Sequence, residues 1–222
     1  MPVFTLHDIT LDLPEVLITK ALAARLADGS YEADEIAAAM CRVRPGMRVL
    51  DLGAGLGLIS VLAARVAGAA NVLSVEANPN LLPVLRDTFE RNGQGGIRLL
   101  HGAVTAGEGG GTVPFQVPRA FLGASLARAG APEEEICGVP NLGLEPLLYE
   151  HRPDLVMMDI EGAEEWLFDQ PWHPELRFLV LELHPPRYSD TVIKRIVDCM
   201  SDSGLTYDPA TSRGRVLGFR RV

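Results

Sequence analysis

The nine residues Val49–Gly57, V-L-D-L-G-A-G-L-G, constrain this 222-residue chain more than any other stretch. An apolar run feeds into three evenly spaced glycines, Gly53, Gly55 and Gly57, and a second apolar run begins at Leu58. The spacing predicts a strand that turns sharply into a helix, because glycine tolerates positive φ and lets a ligand or another backbone come close. In a dinucleotide-binding G-x-G-x-x-G turn the third glycine falls three residues after the second, and here it falls two after it. That spacing speaks against a nicotinamide-dependent dehydrogenase, the rival reading of this turn, and a silent binding module is the other alternative.

Around that turn the chain alternates. Strands are predicted at Met47–Leu52, Asn71–Val75, Ile97–Leu100, Asp154–Ile160, Phe178–Leu183, Leu205–Tyr207 and Val216–Arg221. Helices are predicted at Leu58–Val66, Leu81–Arg91, Ala163–Phe168 and Ser189–Met200. The pattern implies an α/β fold: one mostly parallel sheet of about seven strands, with helices on both faces. Upstream, Val3–Leu13 suggests a hairpin broken at His7-Asp8. A helix is predicted from Glu15 to Ala27, stopped by Asp28-Gly29, and a second from near Ser30 to Met40, before Pro45-Gly46. Residues 1–44 are thus an N-terminal segment and 45–222 the core of a single domain. Ala106–Thr112 reads as a turn and Val113–Val117 as one arm of a hairpin. Residues 119–150 carry Pro132, Pro140, Pro146 and the acidic run Glu133–Glu135 without periodicity, which suggests a functional loop or lid.

Composition narrows the partners. A net charge of −9 argues against nucleic acid, which is bound mainly through neutralised phosphates. Lys20 and Lys194 are the only lysines, and the P-loop pattern is absent. Cys41, Cys137 and Cys199 are odd in number and widely spaced, so reduced thiols are expected and no disulfide frame or zinc site. The N-terminus has no signal-peptide pattern, and the apolar stretch Leu58–Val75 is broken by Arg65 and Asn71. The expectation is a soluble, cytoplasmic protein with no membrane partner; oligomeric state is not legible.

The polar residues that matter stand at predicted strand ends. Asp51 precedes the glycine turn by two residues. Glu76 closes the next strand, in S-V-E-A-N-P, where a carboxylate can accept hydrogen bonds from vicinal ribose hydroxyls. In D-L-V-M-M-D-I-E-G-A-E, Asp154–Glu164, an apolar strand delivers Asp159 and Glu161 to the sheet edge where ligands bind in open α/β folds. For Glu164, capping of the following helix is the favoured reading. Glu182 and His184 fall on one face at the end of the fifth strand, and a neutral His184 is the candidate general base. His101 is expected beside the cofactor or in a structural role. No metal is expected: an ion on Asp159, Glu161 and Glu182 lacks a strong ligand spacing.

Together G-S-Y-E at Gly29–Glu32, the Val49–Gly57 turn, V-E-A-N-P at Val75–Pro79, M-D-I-E-G-A-E at Met158–Glu164 and L-E-L-H at Leu181–His184 resemble the FkbM family of S-adenosylmethionine-dependent methyltransferases. The resemblance implies a Rossmann-like class I methyltransferase fold and O-methylation of a small-molecule hydroxyl on a sugar, polyketide or similar metabolite. It implies that S-adenosylmethionine is held by Tyr31, Glu32, Asp51, Gly53, Ala54, Gly55, Gly57, Glu76, Ala77, Asn78 and Asp159. An acid near the turn would help to hold the ligand's ammonium, and Tyr31 and Glu32 would sit over the pocket. Asp159, Glu161 and His184 are the expected catalytic set. One departure stands out: where the family commonly has a lysine two positions before the motif aspartate, this chain has Met157.

Overall fold

The computed structural model describes residues 2–118 and 123–222. The chain opens with β1 (Val3–Leu6) and β2 (Ile9–Asp12), then α1 (Lys20–Asp28), α2 (Ala33–Arg42), β3 (Val49–Leu52), α3 (Leu58–Ala67), β4 (Val72–Glu76), α4 (Leu82–Arg91) and β5 (Arg98–His101). It continues with β6 (Ala103–Thr105), β7 (Gly109–Gln116), β8 (Ser125–Leu126), β9 (Ile136–Gly143), α5 (Leu144–His151), β10 (Leu155–Met158), β11 (Phe178–Glu182), α6 (Asp190–Asp202), β12 (Leu205–Tyr207) and β13 (Val216–Arg221).

The seven predicted strands form one sheet in the order β12-β13-β11-β10-β3-β4-β5. Every pairing from β11 to β5 is parallel, and β13 runs antiparallel between β11 and β12. All four residues of β3 and of β10 are buried, as expected for central parallel strands covered on both faces. Their side chains alternate between two cores. Val49, Leu155, Met157 and Val180 face α1–α4 and the β1–β2 hairpin. Leu50, Leu52, Val156 and Met158 face α5, α6 and the segment around Phe168 and Trp172.

The element boundaries shift for identifiable reasons. Glu15–Leu17 is a single 3₁₀ turn, and the first helix starts only at Lys20, where the Thr19 side chain accepts the Leu22 N–H at 3.1 Å. The second helix starts at Ala33 because Glu32 is left-handed, with φ 52°. Ala163–Trp166 is a 3₁₀ turn in place of the predicted helix.

The reading of Ala106–Thr112 as a turn and of 119–150 as a loop needs correction. Gly109 opens an eight-residue strand, and β6, β9, β7 and β8 make a second, four-stranded sheet. Gly109–Gly111 all have positive φ, and the register slips between Gly109 and Thr112, so the glycines build a β-bulge inside a strand. Within 119–150, residues 119–122 lie outside the described residues; the rest supplies β8, β9 and most of α5. Among the described residues no helix is long and apolar enough to cross a membrane.

A close backbone approach joins the exits of β3 and β10. The Asp159 N–H donates to the Leu52 carbonyl at 2.9 Å, and the Gly53 N–H donates to the Val75 carbonyl at 2.9 Å. A Cβ on Gly53, whose φ is +85°, would lie 1.8 Å from the Asp159 carbonyl oxygen. Gly53→Ala is therefore expected to cost more than about 4 kcal/mol, in the range reserved for severe steric defects. Gly46→Ala has nothing within 4 Å of its new Cβ and a similar φ of +78°, so it should cost only the left-handed strain of about 1–2 kcal/mol. Urea unfolding of both variants measures the difference.

Candidate active site

The glycine turn and the end of β4 form one hydrogen-bonded unit. Glu76 is 7% exposed; its Oε2 accepts the Gly55 N–H at 2.9 Å and its Oε1 accepts the Asn78 N–H at 2.7 Å. Burial pushes its carboxyl up to about 7, against those backbone amides, which favour the ionised form. Asp51 lies beneath the turn, 2% exposed, accepting the Ser60 hydroxyl at 2.5 Å, and burial pushes it up to about 6. Gly57 caps α3 in the left-handed region, with Phe89 and Leu85 packed where a Cβ would stand.

Among the described residues, five other than glycine have positive φ: His7, Asp8, Glu32, Arg152 and Glu161. His7 and Asp8 make the hairpin turn and Arg152 closes α5. The other two, Glu32 and Glu161, both line a cavity beside the glycine turn. Left-handed strain on bulky residues persists where the surroundings enforce it, and it concentrates at functional sites. Tyr31 is 3% exposed; its hydroxyl and Glu32 Oε1 lie 3.3 and 3.2 Å from where a Gly55 Cβ would be. Burial pushes Glu32 up to about 8, only partly offset by a hydrogen bond from Tyr31.

That cavity holds about 730 Å³ of empty space, partly open to solvent. Of the expected cofactor set, Tyr31, Glu32, Gly53, Gly55, Glu76, Ala77, Asn78 and Asp159 line it. Asp51, Ala54 and Gly57 do not; they shape the turn from behind. The opposite wall is apolar and includes Leu81, Val104, Phe115 and Leu126. Phe115 and Leu126 come from the second sheet, Phe115 from the predicted hairpin arm Val113–Val117 and Leu126 from the stretch expected to be a loop. A second cavity adjoins the first, sharing Leu126, Glu161 and Ala163 with it, and is lined also by Arg128 and Trp166.

Asp159 and Glu161 stand at the β10 exit, on the cavity wall, as expected. His184 does not line the cavity. It lies behind the two acids, 6% exposed, with Nε2 3.4 Å from Asp159 Oδ1, 3.5 Å from Glu161 Oε2 and 4.0 Å from Glu182 Oε2. The expected neutral imidazole is thus disfavoured. Burial lowers its pKa, but the carboxylates of Glu164, Glu161 and Glu182 outweigh that and raise it. Glu164 Oε1 accepts the Ile160 N–H at 3.1 Å, two residues before the Gly162 that starts the 3₁₀ turn, so it ties the β10 exit and does not cap a helix. His101 Nε2 lies 3.2 Å from the Ala77 carbonyl, a backbone contact outside the cavity lining.

Four acids line the main cavity and, among the described residues, no Lys or Arg does. Met157, in the family's lysine position, lies in a small adjoining cavity with Glu32, Glu35, Asp51, Asp159 and Glu182. Burial pushes the Asp159 carboxyl well above the usual carboxylate range, and the neighbouring acids add to it. An anionic cavity with an apolar wall fits S-adenosylmethionine, an adenine nucleoside with a net positive charge.

Fold and site together define a methyltransferase of the Rossmann-like class I type. The chain belongs to the FkbM family of S-adenosylmethionine-dependent methyltransferases: residues 51–207 match the methyltransferase FkbM domain. It is 37% identical over 122 residues to the ribosomal protein L11 methyltransferase of Thermus thermophilus, a match covering 54% of this chain and 46% of that protein. It is 42% identical over 60 residues to the Deinococcus radiodurans protein of the same name, covering 27% of this chain and 22% of that one. The matched stretch spans less than half of the length of these relatives. A Pyrococcus horikoshii protein described as a transferase shares the fold, with a TM-score of 0.50 at 12% identity, over 98% of this chain and 70% of that one.

The missing cation gives a direct test. Met157→Lys puts an ammonium among five carboxylates and is expected to cost less than about 1 kcal/mol. Met158→Lys points into the apolar core on the opposite face and should cost more than about 4 kcal/mol. Chemical denaturation compares the two.

Proposed function

We propose that this protein transfers a methyl group from S-adenosylmethionine to a hydroxyl of a small-molecule acceptor. The observation that carries this reading is the pair of adjoining cavities, which meet at Glu161. The first suits the cofactor and the second the acceptor. When bound, S-adenosylmethionine supplies a methyl group already activated by its sulfonium, so alignment and exclusion of water are what the chain must add.

Glu76 accepts the ribose hydroxyls; the two amides that bind it fix its orientation and leave lone pairs for the ligand. Ala77 and Asn78 continue that wall, Tyr31 and Glu32 cover the turn, and Gly53 and Gly55 let the ligand approach the backbone. Asp51 acts from beneath the turn through its charge, and Ala54 and Gly57 hold the turn's shape. Asp159 and Glu161 orient the acceptor and accept its proton. His184 reaches the acceptor only through these two carboxylates and is a positioning residue. The hairpin and α1 share the core under β3, which supports reading residues 1–222 as one domain. The free cysteines support a cytoplasmic setting.

A second reading, methylation of an amine on a protein, is favoured by the names of the curated relatives and by the acidic cavity. Transfer of tritiated methyl separates the two. Label in a low-mass hydroxylated metabolite supports the first reading, and label in ribosomal protein L11 the second. Label in neither fraction, with S-adenosylmethionine bound, would mark a silent binding module.

Glu76 also makes the affinity pH-dependent. Its carboxyl titrates near 7 in the free protein, and only the ionised form accepts both ribose hydroxyls, so the ligand favours the carboxylate. The dissociation constant for S-adenosylmethionine should fall several-fold as pH rises from about 6 to 8. Glu76→Gln should flatten that dependence, and Glu76→Ala should weaken binding about tenfold or more. Calorimetry across pH measures both, and an unchanged profile would remove Glu76 from the site. Glu161→Gln should lower kcat by roughly a hundredfold with cofactor affinity unchanged.

A further inference from the structure

Behind the cavity wall, Asp159, Glu164 and His184 each offer a ligating atom, and these atoms lie within 4.8 Å of one another. Two ligand atoms at the tetrahedral angle around a small divalent ion, with bonds of about 2.1 Å, stand about 3.4 Å apart. The observed pairs match that spacing, Glu164 Oε1 standing 3.3 Å from His184 Nδ1 and Asp159 Oδ1 3.4 Å from His184 Nε2; they use opposite ring nitrogens, of which one ion takes only one. The side chains of Glu164 and His184 are 0% and 7% exposed. Asp159 Oδ1, Glu164 Oε2 and His184 Nδ1 are cut off from solvent and have no hydrogen-bond partner among the described residues. A fully buried carboxylate oxygen without a donor costs several kcal/mol unless something supplies positive charge. Among the described residues no Lys or Arg pairs with Asp159, Glu161 or Glu164, which share the one imidazole of His184, whereas Glu182 has Arg215 at 2.6 Å.

We propose that Asp159, Glu164 and His184 form a binding site for a divalent first-row transition ion. One imidazole with two carboxylates, and no thiolate, is a donor set suited to Mn²⁺, Fe²⁺ or Zn²⁺ rather than to Ca²⁺ or Mg²⁺. Asp159 Oδ1 is enclosed while its side chain is 31% exposed, so the residue gives one oxygen to the ion and presents the other to the cavity. The ion would lock that carboxylate at the wall, whatever the acceptor is.

The test uses the full chain after chelator treatment. Mn²⁺ titration followed by electron paramagnetic resonance should show one bound ion per chain. Glu164→Gln should weaken binding at least tenfold, and Glu145→Gln, on the surface of α5, should leave it within twofold. Should Glu164→Gln fail to fold, the wild type decides alone. Zn²⁺ should shift the ring resonances of His184 and leave those of His7 and His101 in place. Absence of Mn²⁺ binding up to millimolar concentration would overturn the proposal. So would His184 remaining a doubly protonated imidazolium in saturating Zn²⁺. Neither result bears on S-adenosylmethionine binding at Glu76, so the two readings fail separately.

Discussion

The molecule is organised around the contact between two backbones at the centre of the sheet. Gly53 leaves β3 so close to the Asp159 carbonyl that no side chain fits between them. The Asp159 N–H reaches the Leu52 carbonyl, and the Gly53 and Ala54 N–H groups both reach the Val75 carbonyl. Three strand exits are thereby fixed relative to one another by main-chain bonds. Asp51, Glu76 and Asp159 are each within two residues of that knot. Their positions follow from the sheet's register and not from loop conformation, which is the precision a ligand-aligning site requires.

This also explains which parts of the site were legible in the sequence. Central parallel strands are buried on both faces, so β10 and β11 appear as uninterrupted apolar runs ending in an acid, and β3 and β4 as apolar runs broken once, at Asp51 and Ser74. The second sheet gave only one such signal, the hairpin arm Val113–Val117, which overlaps β7. Its longest strands carry glycine or proline: Gly109–Gly111 in β7, and Pro140 in β9 opposite Thr112. β9 is mostly half-exposed, so it lacks the alternation that marks a strand. Phe115 and Leu126 were missed as cavity walls for that reason. Tyr31 and Glu32 were legible only through the family resemblance, because nothing local announces a left-handed glutamate. Glu164 was read as a helix cap; its grouping with His184, twenty positions away and through the same Oε1 that accepts the Ile160 N–H, is a product of the fold.

The unpaired acids are selective. Elsewhere this chain neutralises its buried carboxylates: Asp208, 1% exposed, is gripped by Arg42 through two bonds of 2.6 and 2.7 Å. Arg215 does the same for Glu182 at the edge of the acid cluster. Around the main cavity that pattern stops, and Met157 fills the place where an ammonium would have balanced Glu32, Glu35 and Asp51. The cost appears as carboxyls pushed up to about 6, 7 and 8 at Asp51, Glu76 and Glu32. Burial without a counter-charge is the main cause at each. Such groups are held ready to ionise when a positive ligand arrives.

In the proposed reaction this arrangement also distinguishes donor from spent product. Two unit charges about 4 Å apart interact by roughly 4 kcal/mol at an effective dielectric of about 20, so one charge changes the balance of a site. The carboxylates around the turn attract the sulfonium form, and methyl transfer removes the sulfonium charge while leaving adenine, ribose and the glycine-turn contacts as they were. The acids that draw the cofactor in therefore hold its demethylated product less strongly. The hydrogen bonds at Glu76, common to both forms, set the baseline affinity, and the unpaired charge sets the difference between them.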